Sequence, residues 1–132
     1  MDNLKTTQEI YAAFGRGDIA AILSRLSESI DWEYAATSND APWLQHGHGR
    51  EGAGAFFASL AGMDIHRFGV NSILAGDNLT VALVNIEFTV KATGKRVVEE
   101  DEVHIWHFDA KGQVARFRHR VDTLAHHRAC QR

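Results

Sequence analysis

Residues Glu99–Thr123 constrain the fold of this chain more than any other stretch. They read Glu-Glu-Asp-Glu-Val-His-Ile-Trp-His-Phe, then Asp-Ala-Lys-Gly, then Gln-Val-Ala-Arg-Phe-Arg-His-Arg-Val-Asp-Thr. Two β-type runs flank a Gly-containing turn, which predicts a hairpin. Each strand carries titratable residues on an otherwise apolar or aromatic sheet. Imidazoles on a strand face inside a pocket can move protons near neutral pH, so small-molecule acid/base chemistry is a candidate from the outset.

Ahead of that hairpin the periodicity is helical. Thr6 or Thr7 with Glu9 suits a helix start, and Ile10, Tyr11 and Phe14 follow at helical spacing. Gly15–Asp18 breaks this helix, and Asp18 is a fair N-cap for a second, striped by Ile19, Ile22, Leu23 and Leu26 and ended by Ser27–Ser29. Ile30–Tyr34 alternates apolar and acidic residues and predicts a strand. Residues 35–48 form a loop holding the only proline, Pro42. A helix over Glu51–Ala61 follows, then β runs at His66–Leu74, Leu79–Lys91, Arg96–Phe108 and Gln113–Thr123. His126-His127-Arg128 begins a solvated tail. The order α-α-β-α-β-β-β-β predicts an α+β fold. A chain of 132 residues suits one domain over 1–132.

Charge and composition narrow the function classes. The net charge of −3 gives no basic footprint for nucleic acid. Arg116, Arg118 and Arg120 alternate with apolar residues and cover a solvated sheet face. No apolar run approaches membrane-spanning length. The N-terminus lacks the pattern of a secretory signal, and the single cysteine, Cys130, rules out a disulfide within the chain. Both fit a cytoplasmic protein. His46-Gly47-His48 lacks a placed third ligand, so no metal is expected. Gly47-x-Gly49-x-x-Gly52 spells a dinucleotide fingerprint, but no βαβ unit surrounds it, so no cofactor is expected either.

Pairing Phe108 with Gln113 gives the hairpin a trial register. One face then holds Glu102, His104, Trp106, Ala115, Phe117, His119 and Val121. The other holds Asp101, Val103, Ile105, His107 and the three arginines. In this register Glu102 lies opposite His119, where it could orient the ring or raise its pKa, and the two histidines are diagonal neighbours. The Leu79–Lys91 run is ambiguous: its apolar residues are odd-numbered at Leu79, Val81 and Leu83 but even-numbered at Val84, Ile86, Phe88 and Val90. This predicts a β-bulge within the run and leaves Asn85 and Glu87 facing either way. If Val84, Ile86, Phe88, Val103 and Ile105 face outward, the patch needs a partner, which favours a homodimer.

The ordered set Gly17-Asp18-Ile19, Ile30-Asp31-Trp32, Gly49-Arg50-Glu51 with Phe56-Phe57, His104, and Asp109-Ala110-Lys111-Gly112…Phe117-Arg118…Asp122-Thr123 resembles the SnoaL-like branch of the ketosteroid-isomerase and nuclear-transport-factor superfamily. The resemblance implies a curved mixed or antiparallel sheet wrapped around the N-terminal helices, a conical pocket, and dimerisation through the outer sheet face. It places His104 where ketosteroid isomerases keep an oxyanion-hole Asp, and His119 where limonene-epoxide-hydrolase relatives hold a catalytic Asp. The isomerase base aligns with Tyr34 and the isomerase helix Tyr aligns near Ile10, so steroid isomerisation is not expected. The Arg-x-Asp pair of the epoxide hydrolases is not found on Leu79–Lys91, where the nearest polar pair is Asn85-Ile86-Glu87, so epoxide hydrolysis is not expected either. His104, His119 and Tyr34 resemble the style of scytalone dehydratase.

The resulting expectation is a cofactor-independent isomerase or lyase for a hydrophobic, carbonyl-bearing or polycyclic molecule. His119, oriented by Glu102, takes a proton; His104, assisted by Tyr34, donates to the developing enolate. Trp32, Trp43, Phe57, Phe68, Trp106 and Phe117 form the walls, with Trp43 as a lid. The alternative is a non-catalytic ligand-binding or dimerisation module of the same fold. Asp122 is expected to close a structural hydrogen bond at the strand end.

Overall fold

The structure is a computed structural model that describes residues 2–33 and 40–132; Tyr34, expected to assist catalysis, lies outside the described residues. Two helices, α1 (Asn3–Gly15) and α2 (Ile19–Ser24), precede β1 (Leu26–Glu33). A two-residue β2 (Gly47–His48) leads into α3 (Gly49–Ser59), and four strands follow: β3 (Met63–Gly76), β4 (Leu79–Val90), β5 (Arg96–Phe108) and β6 (Val114–Arg120). A last helix, α4 (Thr123–Cys130), closes the chain. The strands form one curved mixed sheet in the order β2-β1-β6-β5-β4-β3, in which only β1 and β6 run parallel.

Local chemistry explains where the helices begin. Asp2 caps α1 by accepting from the Lys5 amide at 3.0 Å, several residues before the Thr6/Thr7 start that the sequence suggested. Thr7 is instead buried inside α1, with its hydroxyl 2.8 Å from that of Thr80. Asp18 caps α2 as expected, accepting from Ala21 at 3.1 Å. Residues Ser27–Ser29 do not end α2 but belong to β1, because β6 supplies a parallel partner that no local pattern reveals. Arg50 fixes the start of that strand, donating from Nε and from a terminal guanidinium nitrogen to the Leu26 carbonyl at 3.0 and 2.8 Å.

The Gly47–Gly52 run has a packing role. A Cβ on Gly52 would sit 2.9 Å from the Gly47 carbonyl carbon, so β2 and the first turn of α3 touch backbone to backbone. Gly52→Ala is therefore expected to cost on the order of 1–3 kcal/mol, read as a lower urea midpoint with an unchanged slope.

The register of the last hairpin differs from the trial pairing. A bulge between His107 and Phe108 puts Phe108 opposite Val114, Trp106 opposite Phe117 and His104 directly opposite His119. The shift is by two residues, so the faces keep their membership while the cross-strand neighbours change. Glu102 no longer faces His119, and the expected Glu102–His119 pair is replaced by a Glu102–His104 pair within β5.

The phase change expected in β4 belongs to β5. Along β4 every even-numbered residue from Thr80 to Val90 is buried, so Val84, Ile86 and Phe88 face inward while Asn85 and Glu87 face outward. The extra residue lies in β5 between Glu99 and Glu102, opposite Val84–Ile86, with Asp101 at φ +56°. Asn85 Oδ1 accepts from the Asp101 amide at 3.0 Å and from Asn71 Nδ2 at 2.7 Å, which holds the left-handed residue in place. Asp101→Val is expected to destabilise by about 1–3 kcal/mol and Asp101→Gly by much less, measured by chemical unfolding. Sequence alone misplaced this bulge because Leu79, Val81 and Leu83 line a half-buried outer face.

The chain after Thr123 is not a solvated tail. Asp122 caps α4 by accepting from Ala125 at 3.0 Å, and His126 is buried. The expected structural role of Asp122 is thus a helix cap, and its own amide donates to Glu99 at 3.0 Å.

Candidate functional site

The concave sheet face and helices α1 and α3 enclose a cavity of about 80 Å³. Two apolar clusters form its walls. One gathers Ile10, Ile22, Trp32, Trp106 and Phe117; the other gathers Trp43, Met63, Ile86 and Phe88. Trp32, Trp43, Phe57, Phe68, Trp106 and Phe117 all line the cavity, as do Glu102, His104 and His119. Trp32 stacks on Phe117 with centroids 4.2 Å apart. Trp43 packs edge-on against Phe88 at 5.5 Å and is held in the core.

The β5 bulge decides which polar groups reach the cavity side. Val97 and Glu99 are buried before it; Glu102, His104, Trp106 and Phe108 are buried after it. Two carboxylates three residues apart therefore share one face. Each is bonded to a histidine, Glu102 to His104 at 2.6 Å and Glu99 to His126.

The first pair continues into α1. Tyr11 Oη lies 2.6 Å from His104 Nδ1, and Trp106 Nε1 donates to the same oxygen at 3.0 Å. The Glu102 carboxylate accepts from His104, so that proton sits on Nε2, and with the ring neutral Tyr11 donates to Nδ1. Burial pushes the Tyr11 hydroxyl well above the usual phenol range; the Trp106 bond works against this and the Glu102 charge adds to it. Tyr11 is thus a protonated donor, and both nitrogens of His104 are engaged. Sequence reasoning missed Tyr11 by giving the helix position to its neighbour Ile10. The available signal was a tyrosine one residue from a core isoleucine, on the flank of the buried stripe.

The second pair ties α4 to the cavity. Trp43 Nε1 donates to His126 Nδ1 at 2.9 Å, which leaves the ring proton on Nε2 facing Glu99. Glu99, Glu102 and His126 bring ligand atoms within 4.8 Å of one another, the spacing a metal would need. The nitrogen facing the carboxylates is the protonated one, however, so hydrogen bonding accounts for this trio without an ion. The exposed trio Asp31, Glu33 and His46 is similarly engaged, with His46 2.9 Å from Asp31 and Glu33 bridged to Arg116.

His119 stands apart from both networks. It is 5% exposed, and its Nδ1 is buried with no hydrogen-bond partner. Burial holds its pKa well below the ordinary imidazole range, and any proton gained by the neighbouring His104 or His126 would push it further down. A hydrogen bond to the Glu33 main chain works the other way; the ring donates in it, which places the proton on Nε2 and leaves a lone pair on Nδ1. Trp32 Nε1 is likewise buried without a partner. Each such atom costs about 1–3 kcal/mol against a satisfied one.

A depressed histidine pKa fixes the sign of its stability effect. The unfolded chain takes up this proton near pH 6.5 while the folded chain does not, so stability falls as pH drops below that value, by at most about 1.4 kcal/mol per pH unit. His119→Leu is expected to flatten this slope between pH 7 and 5.5, measured by urea unfolding of both proteins. An equal slope in the two would refute the assignment.

The cavity and sheet define a class before they define a reaction, and the chain belongs to the SnoaL-like domain family, whose model matches residues 7–117. No curated protein sequence matches it. Among solved structures it is similar to an NTF2-like protein of unknown function from Burkholderia pseudomallei K96243 (22% identity, 100% of both chains, TM-score 0.85). It is also similar to TerC co-crystallised with polyporic acid (23% identity, 96% of both chains, TM-score 0.78). A third is a Mycobacterium tuberculosis protein in complex with estradiol-17β-hemisuccinate (14% identity, 92% of this chain and 95% of that one, TM-score 0.74). At these identities the likeness is one of fold. No helix among the described residues is long and apolar enough to cross a membrane.

Proposed function

We propose that this chain is an isomerase or lyase that moves a proton on a hydrophobic, carbonyl-bearing or polycyclic molecule held in the cavity. The observation that supports this most is His119: a buried imidazole, kept neutral by its surroundings, with an unpartnered lone pair in an apolar cavity. Nδ1 takes a proton from the carbon next to the carbonyl, and the electron pair moves onto the carbonyl oxygen. The Tyr11 hydroxyl, placed beside His104 and Trp106, turns to hydrogen-bond that oxygen, and the proton taken stays on His119. The proton then returns to a second carbon, which isomerises the molecule, or leaves with a β-hydroxyl as water, which dehydrates it. Trp32, Trp43, Phe57, Phe68, Trp106 and Phe117 supply the walls. Tyr34 remains a candidate helper on sequence grounds.

The test is a set of cyclic and aryl ketones incubated with the protein in D₂O and followed by NMR. Deuterium should enter the carbon next to the carbonyl faster than in buffer, and His104→Ala should slow this by more than about tenfold. No exchange with any ketone would remove the proposal. Because the His119 pKa is depressed, the acid limb of kcat/KM should fall below pH ~6.5.

The alternative is a ligand-binding module without turnover, favoured by the small molecules bound to similar folds. Binding without exchange, insensitive to pH between about 5 and 8, would establish it. On either reading we place one SnoaL-like domain in the cytoplasm as a homodimer formed through the outer sheet face. Leu79, Val81, Leu83, Val103 and Ile105 are only half-buried there, and equilibrium sedimentation checks the stoichiometry.

A further inference from the structure

Among the described residues, the polar groups around the cavity pair among themselves with two exceptions. Tyr11 and Trp106 meet at the Tyr11 oxygen, His104 binds Glu102, and Trp43 binds His126. What remains is one donor, Trp32 Nε1–H, and one acceptor, the lone pair of His119 Nδ1, both buried and both lining the same cavity. Both rings pack against the same two side chains, Phe117 (centroids 4.2 and 5.3 Å) and Phe56 (5.2 and 5.8 Å).

This pair selects among ligand chemistries. A carboxylate offers only acceptors and would set its charge against the His119 lone pair and near the Glu102 carboxylate. An ammonium offers only donors and leaves the Trp32 N–H unmatched. A lone ketone or an ether satisfies Trp32 and leaves His119 bare. A hydroxyl on a flat ring does both: its oxygen accepts from Trp32 and its hydrogen goes to His119. The aromatic walls accept the ring. We infer that the ligand of this cavity presents a neutral phenolic or enolic hydroxyl to Trp32 and His119. This rests on the proposed function in taking the cavity as the ligand's seat, but it does not require turnover.

The experiment is a binding series at pH 7.5 with 4-ethylphenol, 4-ethylanisole and 4-ethylbenzoate, followed by NMR of the ¹⁵N-labelled protein. The phenol should bind about tenfold or more tighter than either analogue. It should shift the Trp32 indole N–H and the His119 Nδ1 resonances, which the anisole cannot do together. Trp32→Phe and His119→Leu should each reduce the preference for the phenol over the anisole. Should a variant fail to fold, the ligand series and the two nitrogen shifts on the native protein still decide. Equal affinity for phenol and anisole, as expected if water alone satisfied the two atoms, would overturn the inference. So would preference for the benzoate. A phenol preference without any proton exchange would leave this inference standing and remove the enzymatic one; exchange without the preference would do the reverse.

Discussion

His119→Ala is expected to lower turnover by about 10²–10⁴-fold, the range for removing a positioned general base, while the chain still folds. Folding should survive because the substitution deletes a buried acceptor that has no partner in the native cavity. The desolvation penalty of that atom disappears with it and offsets part of the cavity cost. The variant also offers its own control. Alanine leaves room for an imidazole-sized molecule beside a cavity of about 80 Å³, so added imidazole should restore part of the exchange activity. A merely structural role would give no such rescue. Proton exchange measured with and without imidazole decides the matter, and turnover unchanged by the substitution would end the acid/base proposal.

Trp32→Ala is expected to cost about 3–5 kcal/mol of folding stability, a large part of the 5–15 kcal/mol typical of a whole domain. The side chain is 1% exposed and touches Phe56, Phe57, Trp106 and Phe117, with ring centroids 4.2 to 6.1 Å away. Trp32→Phe should cost clearly less, because the indole N–H it removes makes no hydrogen bond. Urea unfolding followed by the fluorescence of Trp43 and Trp106 measures both. A Phe variant as unstable as the Ala variant would mean that the indole N–H has a partner after all.

Most of the strand pattern was legible because alternation records burial directly. Arg96–Phe108 runs as the sequence suggested, and the face shared by His104 and His119 survived a wrong register because the error was by two residues. The errors fall where long-range pairing or a single backbone angle decides. Leu26–Ser29 extends a strand because β6 lies beside it, which no local pattern encodes. The Asp101 bulge was assigned to the neighbouring strand, since an acidic run gives no apolar phase to read. Tyr11 and His126 were missed as site residues for different reasons. Tyr11 sits at the edge of a core stripe, and only the sheet's curvature brings His104 to it. The helix that buries His126 did have a local signal in Asp122, a capping residue read as a strand end.

The one extra residue at Asp101 has a consequence for how this site can change through descent. Strand faces are a matter of parity. With the bulge, positions 97 and 99 share the interior with 102, 104, 106 and 108. Deleting Glu100 or Asp101 would restore plain alternation with both halves still inward. Drawing the strand out regularly at its present length would instead put the halves in opposite parity and turn either Val97 and Glu99 or the whole set from Glu102 to Phe108 to the outside. Point substitutions can tune the pocket a side chain at a time, but losing the bulge while keeping its extra residue would exchange the entire polar lining. Lineages that keep this pocket should therefore keep the extra residue and the left-handed bulge together, or lose both together.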